Sequence, residues 1–576
     1  MAAALLVAWI YIVARAKNVS FVCDEALSFG ILHGEQTFVD TPNNQWLNTL
    51  LMRVSQFIFD ESEFALRSPN VASFGIYGAA LLAVLSRLRH PTAKVAGFVL
   101  LAINPFLLEF FGLARGYGLS LAFSMAAIAC TFWRKRSASA RRELARMALT
   151  GAFGALAFYA NFSALNLVLA LLGVEMIDLG VLFYHQHTHK LPRPARRAAI
   201  GIVCASGASL LPGILYLRHL QHIGQLYYGG HSGLVTDVVG SLLRSSSCGL
   251  KCQPSWLAPA EVTVVVVAAL GIAWTTYRLV GGNRWQNITR ATVIFAIAVL
   301  ATVLESSLLG TLYPIDRTAL VYVVVFAVFV AFVIDDVMTT ISRARVVLGV
   351  AVACFAVLTT VNLVRDANLT RTTIWAYDAS SHEVIDALIR YEQRHGRPPS
   401  PWKLISGFPR DEALNYYRRR FQIRWLQPVG REPAATPDGN FYYVSAQELP
   451  ELPSGTQLLA RFSSTGTELR VAHVRPVAPH RPTQFSAARG VTISATPNPV
   501  PTGPNAGTTT VTWSATRFPR AEVRLSIARG PAELFARGPR GSSTAAFIAT
   551  GAEYIFRVYP DDRSQRVLAL VTVVRG

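Results

Sequence analysis

Charge is what this sequence has least of. Asp, Glu, Lys and Arg make up 15% of its 576 residues, against about a quarter in soluble domains. The deficit is concentrated before Val364, where apolar runs alternate with short basic clusters, a pattern that excludes an ordinary soluble core for that stretch. Acids are scarcer than bases, 34 against 54, leaving a formal charge of +20. No motif or basic helix accompanies that excess, so nucleic acid is not expected as a partner. Much of it sits in links between apolar runs, where the positive-inside bias accounts for it. Cysteine is also sparse, at six. Cys23, Cys130, Cys204 and Cys354 lie in or near apolar segments and read as small hydrophobes. Cys248 and Cys252 share a polar loop and are the candidate disulfide; no second Cys or His pair stands near them at zinc spacing. No strong internal repeat is present.

What is abundant is apolar sequence, 52% of the chain. Runs long enough to span a bilayer occur about eleven times, centred near Val7, Ala79, Leu101, Phe123, Phe153, Leu171, Ala208, Val267, Ala298, Phe326 and Ala353. The first is short, lacks a basic start and precedes no small-residue cleavage pattern, so it reads as a retained helix. Lys and Arg collect in every even link: Arg87, Arg89 and Lys94; Arg134 to Arg146; Lys190 to Arg197; Arg278, Arg284 and Arg290; Arg343 and Arg345. The even links therefore face the cytoplasm and the odd ones face out. With eleven spans the N-terminus is cytoplasmic, and everything after Val364 is periplasmic or extracellular. The expected location is the inner or plasma membrane.

The expected organisation is a transmembrane domain over 1–364, an exterior α/β domain over 365–474, a Pro-rich linker over 475–486 and a β-sandwich over 487–576. In the second part, Trp402 to Ser406 and Phe441 to Val444 read as buried strands. Ser381 to His395 has helical spacing, with Val384, Ile385, Leu388 and Ile389 on one face. In the last part, period-2 runs at Val491, Thr509 to Trp513, Val523, Tyr554 and Val567 to Val574 suggest an immunoglobulin-like sandwich with Trp513 in its core.

Three odd links carry acids and arginines. The first contains Asp24-Glu25 directly after a spanning run, then His33, Glu35 and Asp40, and closes at Arg67-Ser68-Pro69. Acids at that depth are costly unless used or paired. They can act as a base or hold a divalent cation; the alternative is a solvated interfacial pair. The second runs from Asn104-Pro105 through Glu109 to Ala114-Arg115-Gly116-Tyr117-Gly118. Its Arg115 either snorkels to lipid headgroups or grips a phosphate. The third, Tyr313-Pro314-Ile315-Asp316-Arg317-Thr318, places an acid beside an arginine with which it can pair. Glu305 lies in the preceding span, where an unpaired acid points to a role facing a cavity.

At these residues the first 365 positions or so resemble the GT-C superfamily of integral-membrane glycosyltransferases, especially the bacterial dolichyl-phosphate-mannose mannosyltransferase and ArnT-like group. The resemblance rests on Asp24-Glu25, Leu66-Arg67-Ser68-Pro69, Ala114 to Leu119 and Tyr313 to Thr318, in that order and on one side. It implies sugar transfer from a polyprenyl-phosphate donor to a glycan, lipid or protein acceptor at the outer face. Asp24 then resembles the catalytic acid, with Glu25 beside it and Glu109 a second candidate. Arg115 and Tyr117, with Arg317 and Arg67 as further candidates, resemble the lipid-phosphate pocket. Relatives that carry an acid immediately before the fourth-helix Arg differ from this chain, which has Gly112-Leu113 there. Two other classes remain open. A transporter or flippase of lipid-linked sugars would need midspan polar residues and inverted halves, and an inactive scaffold would leave the exterior domains to do the work.

Overall fold

The computed structural model describes residues 1–34, 40–133, 140–184, 193–247, 254–282, 286–396, 400–472, 484–486, 488, 490–503, 506–527, 532–549, 552–561 and 567–575. The chain divides into two compact units, one of Met1–His382 with Glu412–Arg420, the other of Glu383–Asp411 with Phe421–Gly576. The candidate disulfide Cys248–Cys252 and most of the Pro-rich linker lie outside the described residues.

The first unit is a polytopic helical membrane region. Helices stand at all eleven apolar centres, and among the described residues seven are long and apolar enough to cross a bilayer alone. Two bent pairs are long and apolar enough only when taken together, Ala2–Asn18 with Cys23–Leu32 at 71° and Pro91–Ala102 with Pro105–Gly112 at 51°. Tyr117–Phe132 is a shorter apolar helix, and Ala140–Ala160 opens on Arg141, Arg142, Glu143 and Arg146. A common core of Leu, Phe, Val and Ala joins most of these helices.

Both bends have local causes. Proline cannot continue a ladder of backbone hydrogen bonds, and Pro105 opens a new helix whose N-cap Asn104 accepts from Leu107 N at 3.2 Å. The first helix instead ends in an extended turn through Val19 and Val22. Its free carbonyls need partners, and the Arg67 guanidinium supplies them, donating to Ala16 O, Val19 O and Ser20 O at 3.2, 2.7 and 3.0 Å. Arg67 sits in the helix Glu63–Leu85, which tolerates Pro69 because the carbonyl of Ala65, four residues back, accepts from the hydroxyls of Ser55 and Ser68.

In the second unit, strands β1 (Leu404–Ser406), β2 (Phe441–Ser445), β3 (Thr456–Phe462) and β4 (Thr467–Ala472) form a sheet of order β1-β2-β4-β3. Only the β1–β2 pair is parallel. The helix Ser381–His395 buries Val384, Ile385 and Leu388 and turns Tyr391 edge-on to Trp402 and Phe441.

Eight more strands follow: β5 (Gln484–Ser486), β6 (Thr492–Thr496), β7 (Gly507–Ser514), β8 (Glu522–Ile527), β9 (Glu533–Arg537), β10 (Arg540–Ile548), β11 (Tyr554–Tyr559) and β12 (Ala569–Val573). They form sheets of order β10-β7-β6 and β5-β12-β11-β8-β9, with one core of alternate residues from both. Trp513 lies in that core and donates its indole N–H to Gly538 O at 3.0 Å. A Cβ on Gly541 would meet the Trp513 ring at 2.4 Å, so only glycine fits opposite it. Replacing Trp513 by Ala should cost about 3–5 kcal/mol through the cavity left behind. Limited proteolysis of the full chain should then cut within residues 487–576 well before the wild type does.

Candidate functional site

The Asp24 carboxylate is aimed by its neighbour. Glu25 is fully buried and accepts from Arg67 Nε and Nη2 at 2.8 and 2.5 Å, from Ala114 N at 2.5 Å and from Val22 N at 3.0 Å. It thereby ties together the first-helix bend, the start of the second helix and the Ala114 turn. Arg67 spends all five of its N–H groups in this knot. Among the described residues neither has capacity left for a ligand, so the structure places Glu25 and Arg67 as the frame around the site.

The next turn brings in Arg115. Its Nη1 donates to Asp24 O, Ser28 Oγ and Asn43 O at 3.0, 3.1 and 3.3 Å, and its Nη2 to Asn43 Oδ1 at 2.8 Å. The Ala114 to Leu119 turn is pinned by three amide side chains: Asn48 Nδ2 donates to Ala114 O, Gln45 Oε1 accepts from Gly116 N, and Asn70 Oδ1 accepts from Leu119 N. Both glycines are sterically required. A Cβ on Gly116 would lie 1.8 Å from Ala160 O, and one on Gly118 would lie 2.7 Å from Phe110 O. Tyr117 is buried edge-on against Phe110 at 4.9 Å between ring centres.

Arg317 arrives from the third link. The residue before it, Asp316, has φ +46°, a left-handed conformation that Asp tolerates and most residues do not. It is held by Ser245 Oγ at 2.9 Å, Tyr228 O–H at 3.3 Å and its own N–H donating to Ser241 Oγ at 2.8 Å. Asp316 therefore bonds hydroxyls instead of pairing with its neighbour, and Arg317 is turned inward. The guanidinium stacks over Tyr228 at 4.0 Å and Trp375 at 5.1 Å, a favourable placement for a cation over aromatic faces. Burial pushes the phenols of Tyr228 and Tyr377 well above their ordinary range, so both remain neutral O–H groups beside Arg317.

Asp24 Oδ2 lies 3.6 Å from an Nη2 of Arg115 and 3.6 Å from an Nη2 of Arg317. That is ion-pair range but beyond hydrogen-bond range. Oδ2 is buried and, among the described residues, accepts no hydrogen bond. Three links far apart in sequence thus meet at one carboxylate that faces two cations and has an acceptor to spare.

Glu109 does not join this cluster. It pairs with Arg15 at 3.0 Å and accepts from Thr373 N and Oγ1, while Arg15 also donates to Asn368 O and Arg371 O. Glu109 therefore anchors the segment after the last membrane helix. His33 bonds Glu61 and Gln56, and Asp40 meets His219 at the surface; Glu35 lies outside the described residues. No group of three or more His, Cys, Asp or Glu side chains capable of holding a metal exists among the described residues. Asp24 belongs to no such group, and the two cations beside it are guanidiniums.

Sequence reasoning did not find Asn43, Gln45, Asn48, Asn70, Tyr228, Trp375 or Tyr377. The run Thr41-Pro42-Asn43-Asn44-Gln45 is a visible amide cluster, but what it would pin was not readable without the fold.

No family model and no curated protein matches the chain. Solved structures do. ArnT from Cupriavidus metallidurans, in a structure bound to undecaprenyl phosphate, aligns over 81% of this chain and 96% of its own at 12% identity and TM-score 0.47. The Archaeoglobus fulgidus oligosaccharyltransferase, in complex with Zn and sulfate, aligns over 76% of this chain and 67% of its own at 13% identity and TM-score 0.39. The arabinosyltransferase EmbB from Mycobacterium smegmatis aligns over 99% of this chain and 62% of its own at 12% identity and TM-score 0.32.

Proposed function

We propose that this chain is a membrane glycosyltransferase of the GT-C type that moves a sugar from a polyprenyl-phosphate donor to an envelope acceptor. The observation that carries the reading is the Asp24 carboxylate, 3.6 Å from both Arg115 and Arg317, at the end of the membrane helices. The basic even links put that end on the outer face. Asp24 Oδ2 is the base. It takes the proton of an acceptor hydroxyl as that oxygen bonds the anomeric carbon, while the bond from that carbon to the lipid phosphate breaks with inversion. The electron pair leaves with the phosphate, whose growing charge needs a fixed cation.

The two arginines divide the work. The Nη groups of Arg115 are committed to Asp24 O, Ser28 and Asn43, so it positions the base. The Arg317 guanidinium makes no hydrogen bond among the described residues and rests on aromatic faces, so it is the group that meets the leaving phosphate. This reading gives Arg317 the phosphate role that the sequence offered first to Arg115. Tyr117 packs edge-on against Phe110.

The test is transfer of a radiolabelled sugar from a polyprenyl-phosphate donor by the purified full chain in lipid vesicles, read on envelope acceptors. Arg317→Gln should lower kcat about 100-fold, in the range seen when a single charge-stabilising donor is removed. Arg115→Gln should fail more broadly because it also releases Asp24 and the Asn43 loop. Full kcat in Arg317→Gln would overturn the phosphate assignment.

A further inference from the structure

Four buried acids of the membrane helices are closed by guanidiniums: Glu25 by Arg67, Glu109 by Arg15, Glu175 by Arg146 and Asp178 by Arg290. Glu305, half-buried in the helix Asn287–Leu309, differs from these four. Among the described residues no Lys, Arg or His pairs with it, and its hydrogen-bond partner is an amide, Asn166 Nδ2, 3.0 Å from Oε2. A membrane acid without a counter-charge is costly to keep unless it has a use.

The surrounding groups define what is missing. Asn166 is buried and directs its NH₂ toward Thr302 Oγ1 at 3.0 Å and Tyr322 O–H at 3.2 Å as well as toward Glu305. Thr302 and Tyr322 bond one another, and Thr302 also donates to Ala298 O at 2.9 Å. The donors are therefore spent. Asn166 Oδ1, although buried, accepts nothing among the described residues, and Glu305 Oε1 has no partner there either. The unmatched capacity consists of acceptors, to which Glu305, once ionised, adds one negative charge. A phosphate or carboxylate would be repelled. A group with several N–H donors and one positive charge satisfies both demands.

Position decides how such a group arrives. Glu305 stands four residues, about 6 Å of helical rise, before the helix ends at Leu309, the end that leads through the third link to Arg317. It flanks an apolar stripe on which Leu304 and Leu308 are 45% and 75% exposed, as for side chains that face lipid.

We propose that Glu305 and Asn166 form a binding site for a primary ammonium group, entered from the lipid-facing flank of the helix Asn287–Leu309. Two sources share that chemistry, an aminophospholipid headgroup and an amino sugar on a lipid carrier. The site does not depend on Asp24 or on sugar transfer.

The test is native mass spectrometry of the full chain in detergent, with phosphatidylethanolamine and phosphatidylcholine of identical acyl chains. The second headgroup keeps the charge and lacks N–H donors. Wild type should retain phosphatidylethanolamine roughly tenfold better, the size expected for one hydrogen bond to a charged group. Glu305→Gln, which keeps shape and loses charge, should abolish the difference. Equal retention of the two lipids by the wild type overturns the site without any variant having to fold. Undiminished discrimination in Glu305→Gln overturns it too. Competition by a polyprenyl-phosphate glucosamine, and not by the matching glucose compound, assigns the site to an amino sugar. Absence of competition assigns it to the headgroup.

Discussion

Asp24→Asn is expected to lose sugar transfer by about 10²–10⁴-fold, the usual contribution of a general base, with expression and membrane insertion unchanged. Asn keeps the size of the side chain and cannot take the acceptor's proton. The frame around position 24 does not use that carboxylate. Glu25 makes the hydrogen bonds to Arg67, Val22 and Ala114, and Arg115 holds the main-chain carbonyl of residue 24. Removing the charge also leaves Arg115 and Arg317 without the anion 3.6 Å from each. The donor phosphate should therefore bind at least as well as before, so the loss should fall on kcat with KM for the donor equal or lower. Steady-state kinetics in vesicles reads that split. Unchanged transfer would sink the assignment of the base, and it would revive an inactive scaffold or a transporter.

Arg67→Met should destabilise the helical unit by about 3–5 kcal/mol, the cost of leaving a buried carboxylate without its partner. Both side chains of the Arg67–Glu25 pair are fully buried, so solvent screens neither. The variant additionally strips three carbonyls at the end of the first helix of their donor. Arg67→Lys should rescue little, since one ammonium cannot reproduce a five-donor fork. Pairing Arg67→Met with Glu25→Gln should restore part of the loss by removing the orphaned charge. Thermal melting of the full chain in detergent distinguishes these cases. A wild-type melting temperature in Arg67→Met would mean that the knot contributes nothing.

These two residues show how far the sequence could be read. Asp24, Glu25, Arg67, Glu109, Arg115 and Arg317 were all visible as charges at the ends of apolar runs, because charge near hydrocarbon stands out. Which of them touch was not visible. Glu25 and Asp24 are adjacent, and a helical turn sends one into the Arg67 knot and the other toward Arg115 and Arg317. Glu109 looked equivalent to them by position, yet its partner, Arg15, lies in the first helix, where it would ordinarily be read as a basic helix end. Asp316 and Arg317 looked like a pair, and a left-handed turn at Asp316 separates them.

The second unit divides the same way. The helix Ser381–His395 and the strands around Trp513 announce themselves through period 3.6 and period 2. Strand β10 does not, since Arg-Gly-Ser-Ser-Thr-Ala has little apolar alternation and is strand because β7 pairs with it.

By itself, then, the sequence determined a helical membrane region followed by a β-rich region, and it marked three charged links, Asp24's among them. Hydropathy and charge are sums over neighbouring residues, which a linear chain displays openly. The tertiary structure alone decided that Asp24 faces two arginines with a free acceptor, that Glu25 and Glu109 are bound elsewhere, and that Glu305 has no counter-charge. Those are distances between residues up to about 300 positions apart. They depend on how helices pack and turns bend, which no local pattern records.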